Sequence, residues 1–412
     1  MKRNLILLGF LAACVGVFAQ NDKNEKKFSL SANGEIDASF RNYTGTRFLT
    51  EKGVNDESSV ATRVPGICFA AEYKITPKWI AASEAEYISG AGVQLDMFSI
   101  THVVSPAFNV TAGLFQLPIG HCNSDYGYVD YFHTGDPEGE YALIPCPITE
   151  TGIALSGELG CGLSYHAGVT TGMNAQMFNT SGWTSSAPQA FNFDESSFDS
   201  PAYTLRVGYS GLKNFQMSTG VYYSANTADN MSIEKDYNEF CIDKYNEKKK
   251  IPLTIWYADA QYKNDYVTIR GSYMQGNMGN SGYLSNYFAN LLQNGTDEEL
   301  QYDGGVIGRG AISVMGEVGI NLKNCFYSGT KGPELYPFFH YEHYDSQAKP
   351  ADMAGIERDP RGKVNMWSLG INWKPIEEVV VKANYTNRKI GSGDMNSANE
   401  FNLAVAYDFQ LF

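Results

Sequence analysis

The chain has 412 residues, with 31 Lys and Arg against 45 Asp and Glu, and its net charge of -14 excludes a basic surface built to hold nucleic acid. Mean hydropathy is slightly polar at -0.29, yet Tyr and Phe number 27 and 23 beside 41 Gly, a balance that suits half-buried strands and tight turns rather than helices. Beyond the N-terminus no run of about 18 apolar residues occurs, so no helix is expected to cross a bilayer.

Residues 1–19 read as an export signal: Lys2 and Arg3, an apolar run from Leu5 to Val17, then Val17-Phe18-Ala19 as a small-residue cleavage site. Leu11-Ala12-Ala13-Cys14 offers a second reading, a lipoprotein cleavage with Cys14 lipidated. From residue 20 onward, apolar residues recur at every second position in segments of about ten residues, the strand length a tilted membrane barrel requires. Strands are expected near 28–40, 64–75, 79–88, 93–102, 108–116, 150–159, 162–172, 202–210, 215–225, 253–262, 266–275, 310–322, 334–345, 363–373, 379–388 and 400–412. The last is the clearest, with Phe401, Leu403, Val405, Tyr407, Phe409 and Leu411 on one face and Asn402, Ala404, Ala406, Asp408 and Gln410 on the other; the segment around Val93 to His102 has the weakest phase.

Connections alternate between short, such as Thr76-Pro77 and Gly160-Cys161, and long, such as 117–149, 173–201, 226–252 and 276–309. Lys323 to Pro333 is long for the short set. Without spanning helices, only a closed sheet pairs every strand-edge N–H and C=O in hydrocarbon. The expected fold is therefore all-β, a transmembrane antiparallel β-barrel of about 16 strands with long extracellular loops and short periplasmic turns. Residues 20–412 form that barrel. A soluble sandwich would turn a polar face outward. A plugged transporter needs about 22 strands.

A barrel of this size leaves an aqueous channel unless a loop narrows it. Loop 117–149 carries Asp125, Asp130, Asp136, Glu138 and Glu140 and no Lys or Arg. Folded inward against basic wall residues, it would constrict the pore and set up a transverse field that selects small polar solutes. Folded outward, it would be an acidic solvated loop. Both readings stay open in the sequence. Cys122 and Cys146 stand near opposite ends of this loop. A bridge between them would tie its base and stabilise it by about 3 kcal/mol through loop-closure entropy; two free thiols are the alternative.

Alternation also assigns charges to the lumen, because a lipid-facing Lys or Arg at the midplane costs about 2–4 kcal/mol. The basic set is Arg41, Lys74, Arg206, Arg270, Lys382 and Arg388; the acidic set is Glu35, Asp37, Glu72, Glu84, Glu86, Asp96, Asp259, Glu317, Glu334, Glu342 and Asp408. The acidic excess gives no reason to expect anion selection. Tyr73, Trp79, Tyr87, Tyr209, Phe215, Tyr262, Tyr266, Trp373 and Tyr385 fall near strand ends, as interfacial girdles do.

No catalytic or cofactor-binding constellation emerges. His340 and His343 point to opposite faces of one strand and cannot share a metal ion. No G-x-S-x-G elbow occurs. Lys248-Lys249-Lys250 reads as a solvated loop or a lipopolysaccharide contact, and 283–293, YLSNYFANLLQ, has a helical apolar pattern that would cap the mouth, enter it, or meet a neighbouring barrel. These features point to a non-enzymatic outer-membrane protein. Its expected role is passive diffusion of small hydrophilic solutes or ions; a structural or adhesive barrel with a closed lumen is the alternative.

The segments Gly113-Leu114-Phe115-Gln116-Leu117-Pro118-Ile119-Gly120 and Glu150-Thr151-Gly152-Ile153-Ala154-Leu155-Ser156-Gly157, with Leu163 to Gly172 after them, resemble the phosphate-selective porin O and P family. The resemblance covers some 60 residues, from Gly113 to Gly172. It implies a 16-stranded homotrimeric porin whose third long loop narrows the pore. The chain lacks that family's basic third loop and basic wall, so the resemblance does not carry phosphate selectivity over. The terminal Phe412 is out of phase with the apolar face, which ends at Phe409 and Leu411.

Overall fold

Where apolar and polar residues alternate, the chain runs as strands. A computed structural model describes residues 27–43, 58–64, 66–88, 92–123, 127–186, 197–294, 305–327, 332–353, 358–391 and 396–411. The expected signal segment and Phe412 lie outside these residues. The strands are β1 (Phe28–Arg41), β2 (Ser59–Arg63, resuming as Gly66–Thr76), β3 (Trp79–Ile88), β4 (Gly92–Ser105), β5 (Phe108–Gln116), β6 (Thr149–Leu159), β7 (Leu163–Thr170), β8 (Ala202–Leu212), β9 (Phe215–Ser224), β10 (Leu253–Lys263), β11 (Val267–Met278), β12 (Gly310–Ile320), β13 (Glu334–Lys349), β14 (Lys363–Ile376), β15 (Val379–Ile390) and β16 (Ser397–Gln410).

Each strand pairs antiparallel with the next, and β16 returns to β1 in the register Phe40↔Phe401, Ala38↔Leu403, Ile36↔Val405. The sheet is thereby a closed 16-stranded barrel with no free edge, the condition for spanning hydrocarbon. Both halves of β2 pair with β1, Asp37↔Arg63 above and Gly34↔Ile67 below. The break falls at Val64-Pro65, where proline has no N–H to give to a ladder.

The weak phase of the fourth segment has a local cause. β3 and β4 pair as Glu84↔Met97 and then Ala85↔Leu95, which leaves Asp96 as the extra residue of a bulge. Alternation resumes on the other side of it, with Phe98 and Ile100 outward. The outward face is apolar elsewhere too: Ile153, Leu205, Ile269, Leu369, Leu403 and Val405 are all exposed in the isolated chain. Burying such surface in hydrocarbon rather than water is what holds the barrel in a bilayer.

The long-loop end is filled by its own connections. Helix α1 (Glu138–Leu143) lies in the third long loop. Helices α2 (Glu234–Tyr245) and α3 (Ser281–Asn294) meet edge to face through Tyr237 and Tyr287, with ring centroids 5.4 Å apart, and Tyr245 and Tyr283, 4.5 Å apart. The helical pattern over 283–293 thus belongs to a cap that packs within this barrel. Leu284 and Phe288 of α3 join Leu117, Ile119, Leu143, Ile144, Trp183 and Tyr257 in one buried apolar cluster. At the short-turn end, the unusually long connection holds helix α4 (Leu322–Tyr327).

Candidate functional site

The third long loop leaves β5 and rejoins the wall at β6, and its neck is tightly fastened. Leu117 N–H donates to Ile148 C=O at 2.8 Å. Cys122 and Cys146 are joined in a disulfide with Cα atoms 5.7 Å apart. The Asn123 amide donates to the carbonyls of Ile119 at 2.9 Å and Pro145 at 3.2 Å, and its oxygen accepts from Ile148 N–H.

Beyond the neck the loop folds inward and touches the opposite wall. At its deepest point the Arg270 guanidinium donates to Asp130 C=O at 2.8 Å, and the Asn372 amide donates to Phe132 C=O at 3.1 Å. The Phe132 ring stacks on Phe338 at 5.7 Å and covers Gly319, where a Cβ would stand 2.1 Å from the ring. Only glycine leaves that space.

The loop then climbs along β14, β15 and β13. Lys382 Nζ is held between Glu35 Oε2 at 2.8 Å and His133 C=O at 3.0 Å. Thr134 hydroxyl donates to the Asn384 oxygen at 2.5 Å. Arg388 donates to Glu138 Oε2 at 2.7 Å and to Glu400 Oε1 at 2.8 Å, and Tyr344 hydroxyl completes Glu138 at 2.7 Å. The Glu342 carboxylate accepts the leading N–H groups of α1, Glu138 at 2.9 Å and Gly139 at 2.6 Å, the end of a helix where amides lack intrahelical partners. His340 bridges Glu317 at 3.0 Å and Glu342 at 2.8 Å, so the acceptor that holds the start of α1 and the partner of Arg270 share one imidazole.

Of the five carboxylates expected on this loop, Asp125 lies outside the described residues. Glu138 makes direct contact with a basic wall residue. Glu140 does not: it is fully buried, accepts from Ser272 hydroxyl at 3.0 Å and Cys122 N–H at 3.2 Å, and burial pushes its carboxyl up to about 8. The expectation that these two groups project into the channel is corrected, because the helix that carries them is pressed onto β12 and β13. Asp130 and Asp136 stay half-exposed. Burial beside Glu35 pushes Asp136 up to about 6, against the opposing pull of Lys382 and Arg63.

The basic residues divide in a similar way. Arg270, Lys382 and Arg388 are buried in the contacts that hold the loop. Arg206 donates to Ser218 at 3.0 Å, and Ser218 in turn donates to Asp259. Arg41 stands 3.6 Å from Glu400. Lys74 is exposed at the short-turn end, away from the loop. Arg63, absent from the expected set because its strand was expected to begin at residue 64, pairs with Asp37 at 2.5 Å.

On the wall beside the loop, Glu84 accepts from the Gln116 amide and the Cys68 thiol at 3.2 Å each, and Glu86 accepts from Tyr128 hydroxyl at 3.4 Å. The bulge brings buried Asp96 to the same strands. These three carboxylates stand on adjacent strands, so this side of the lumen is rich in acidic groups. Among the girdle residues, Trp79, Tyr87, Tyr262, Tyr266, Trp373 and Tyr385 are exposed near strand ends.

The closed 16-stranded antiparallel barrel is a fold shared with solved outer-membrane channels. Solved structures agree on the fold. The outer membrane channel DcaP of Acinetobacter baumannii superposes with a TM-score of 0.54 at 12% identity, covering 94% of this chain and 99% of that one. Pseudomonas putida OprB superposes with a TM-score of 0.55 at 11% identity, covering 93% and 94%. In sequence, an uncharacterized protein of Aquifex aeolicus strain VF5 is 24% identical over 283 residues, 68% of this chain and 58% of the relative's length. No family model matches the chain, so the narrower likeness to phosphate-selective porins stays with the segments between Gly113 and Gly172.

Proposed function

We propose that the protein is an outer-membrane porin through which small hydrophilic solutes and ions diffuse passively, with loop 117–149 as the constriction and a preference for cations. The observation that carries this reading is the division of charge in the lumen. Arg270, Lys382 and Arg388 are each paired with a buried carboxylate, Glu317, Glu35 and Glu138, while Asp130, Asp136, Glu84 and Glu86 are only partly buried. A fixed acidic lining raises local cation concentration. Export by the signal segment 1–19, residence in a membrane whose outer leaflet is lipopolysaccharide, and assembly as a homotrimer complete the proposal.

A second reading is supported by the apolar cap at the long-loop end, where Trp183, Leu284 and Phe288 are fully buried: the lumen is closed and the loops bind a surface partner. Planar-bilayer recording separates the two. Stepwise currents from protein that shifts on a gel when heated support the porin, and silence from the same folded material supports the closed barrel.

A further inference from the structure

Five adjacent strands grade from apolar to polar on their outward face. The register aligns Phe339, Leu369, Tyr385, Phe401 and Phe40 in one row. One step towards the long loops stand Tyr341, Trp367, Asn387 and Asn399, with Asn42 joined to Asn399 through the backbone at 3.1 Å. One step further lie His343, Asn365, Lys389 and Ser397. Alternation turns every one of these side chains away from the lumen, where their neighbours Glu342, Met366, Arg388 and Glu400 are buried.

The upper rows are ordered among themselves. The Asn387 amide donates to Asn399 Oδ1 at 2.5 Å and Ser397 Oγ at 3.1 Å, and a His343 ring nitrogen bonds Asn365 Oδ1 at 2.9 Å. Lys389 and Lys363 are exposed and have no ion-pair partner among the described residues; the nearby Arg358 and Arg361 are paired with Asp345 and Asp359. On a chain of net charge -14 this is a locally cationic, amide-rich band immediately above an aromatic row. An aromatic row marks the hydrocarbon boundary, and cationic groups just beyond it meet headgroups.

We propose that this outward surface of β13 to β16, centred on Lys389 with Lys363 and His343, binds the phosphorylated sugar headgroup of an outer-leaflet glycolipid. Ammonium groups recognise phosphate through charge-assisted hydrogen bonds, and the fixed asparagine amides offer donors and acceptors to sugar hydroxyls. The site rests on the outer-membrane reading but not on conduction. It also differs from the Lys248-Lys249-Lys250 run, whose central lysine is paired with Glu247 and lies 4.7 Å over the Tyr283 ring.

The test is native mass spectrometry of the full-length folded barrel in detergent, titrated with bisphosphorylated lipid A and with its dephosphorylated form. Wild-type protein is expected to retain lipid A at least tenfold more tightly than the dephosphorylated lipid. The variant K363Q/K389Q is expected to lose that preference and K363R/K389R to keep it, while K248Q/K249Q/K250Q binds as wild type. Equal retention of both lipids, equal binding by K363Q/K389Q, or loss confined to the Lys248–Lys250 variant overturns the proposal. Conductance of the same samples reports on the porin reading separately: lipid binding by a silent barrel would sink the channel and leave this site standing.

Discussion

Arg388 ties the loop to the barrel wall, because it pairs with Glu138 from the loop and Glu400 from β16 in a space closed to solvent. Removing one partner of a buried ionic group strands the others, which costs about 3–5 kcal/mol. Arg388→Met is therefore expected to lower the temperature of the gel-mobility shift, and adding Glu138→Gln and Glu400→Gln is expected to restore more than half of the loss. A triple variant no more stable than the single one would mean that charge is not the cause. Glu140 makes a pH-dependent contribution of opposite kind. Its carboxyl is raised from an ordinary 4.5 to about 8 by burial, so the folded loop holds a proton that the unfolded chain releases. The stability this gives is complete below pH 4.5, declines as pH rises, and is gone above about 8. Hydrogen-exchange protection of Glu138–Leu143, corrected for intrinsic rate, should fall between pH 5 and 8 in the wild type and stay level in Glu140→Gln.

At the scale of elements, the disulfide fastens a loop whose sulfurs are 24 residues apart in sequence. Replacing both cysteines by serine should cost about 3 kcal/mol of loop stability by closure entropy, and single-channel records should show added current noise with little change in mean conductance. The same loop marks the limit of what the sequence discloses. All sixteen strands could be read from alternation, since a period of two has one meaning once one face is hydrocarbon. The same parity is the only guide the sequence offers to which charges point inward, and Lys382 and Arg388 are buried in the barrel. Parity does not apply within a loop, so nothing in 117–149 shows that it turns inward or that Glu138 and Glu140 end in different environments. Arg63 was hidden for a related reason: the break at Val64-Pro65 hides a strand segment only five residues long. The bulge at Asp96 was visible only as a lapse in phase, without the direction in which the extra residue would point.

The whole molecule combines a cap that is apolar and a lumen side that is acidic, and permeation is the property that weighs them. With Asp130 and Asp136 half-exposed at two depths of the loop, Asp130→Asn/Asp136→Asn is expected to move the reversal potential in a tenfold KCl gradient towards zero. Glu140→Gln, which changes a buried group, should leave it where it is. An unchanged potential in the double variant would remove the loop from the selectivity mechanism.

The partnership between β1 and β16 carries a consequence for biogenesis. The seam is made by the last fourteen-residue strand against the first one, the longest sequence separation the chain offers. A nascent polypeptide cannot seal itself until Ser397–Gln410 has been made, and until then it exposes two unsatisfied edges liable to aggregate. A truncation ending before Ser397 should accordingly stay bound to soluble holdases and never become protease-resistant, whereas excision of a surface loop of similar length should not arrest insertion.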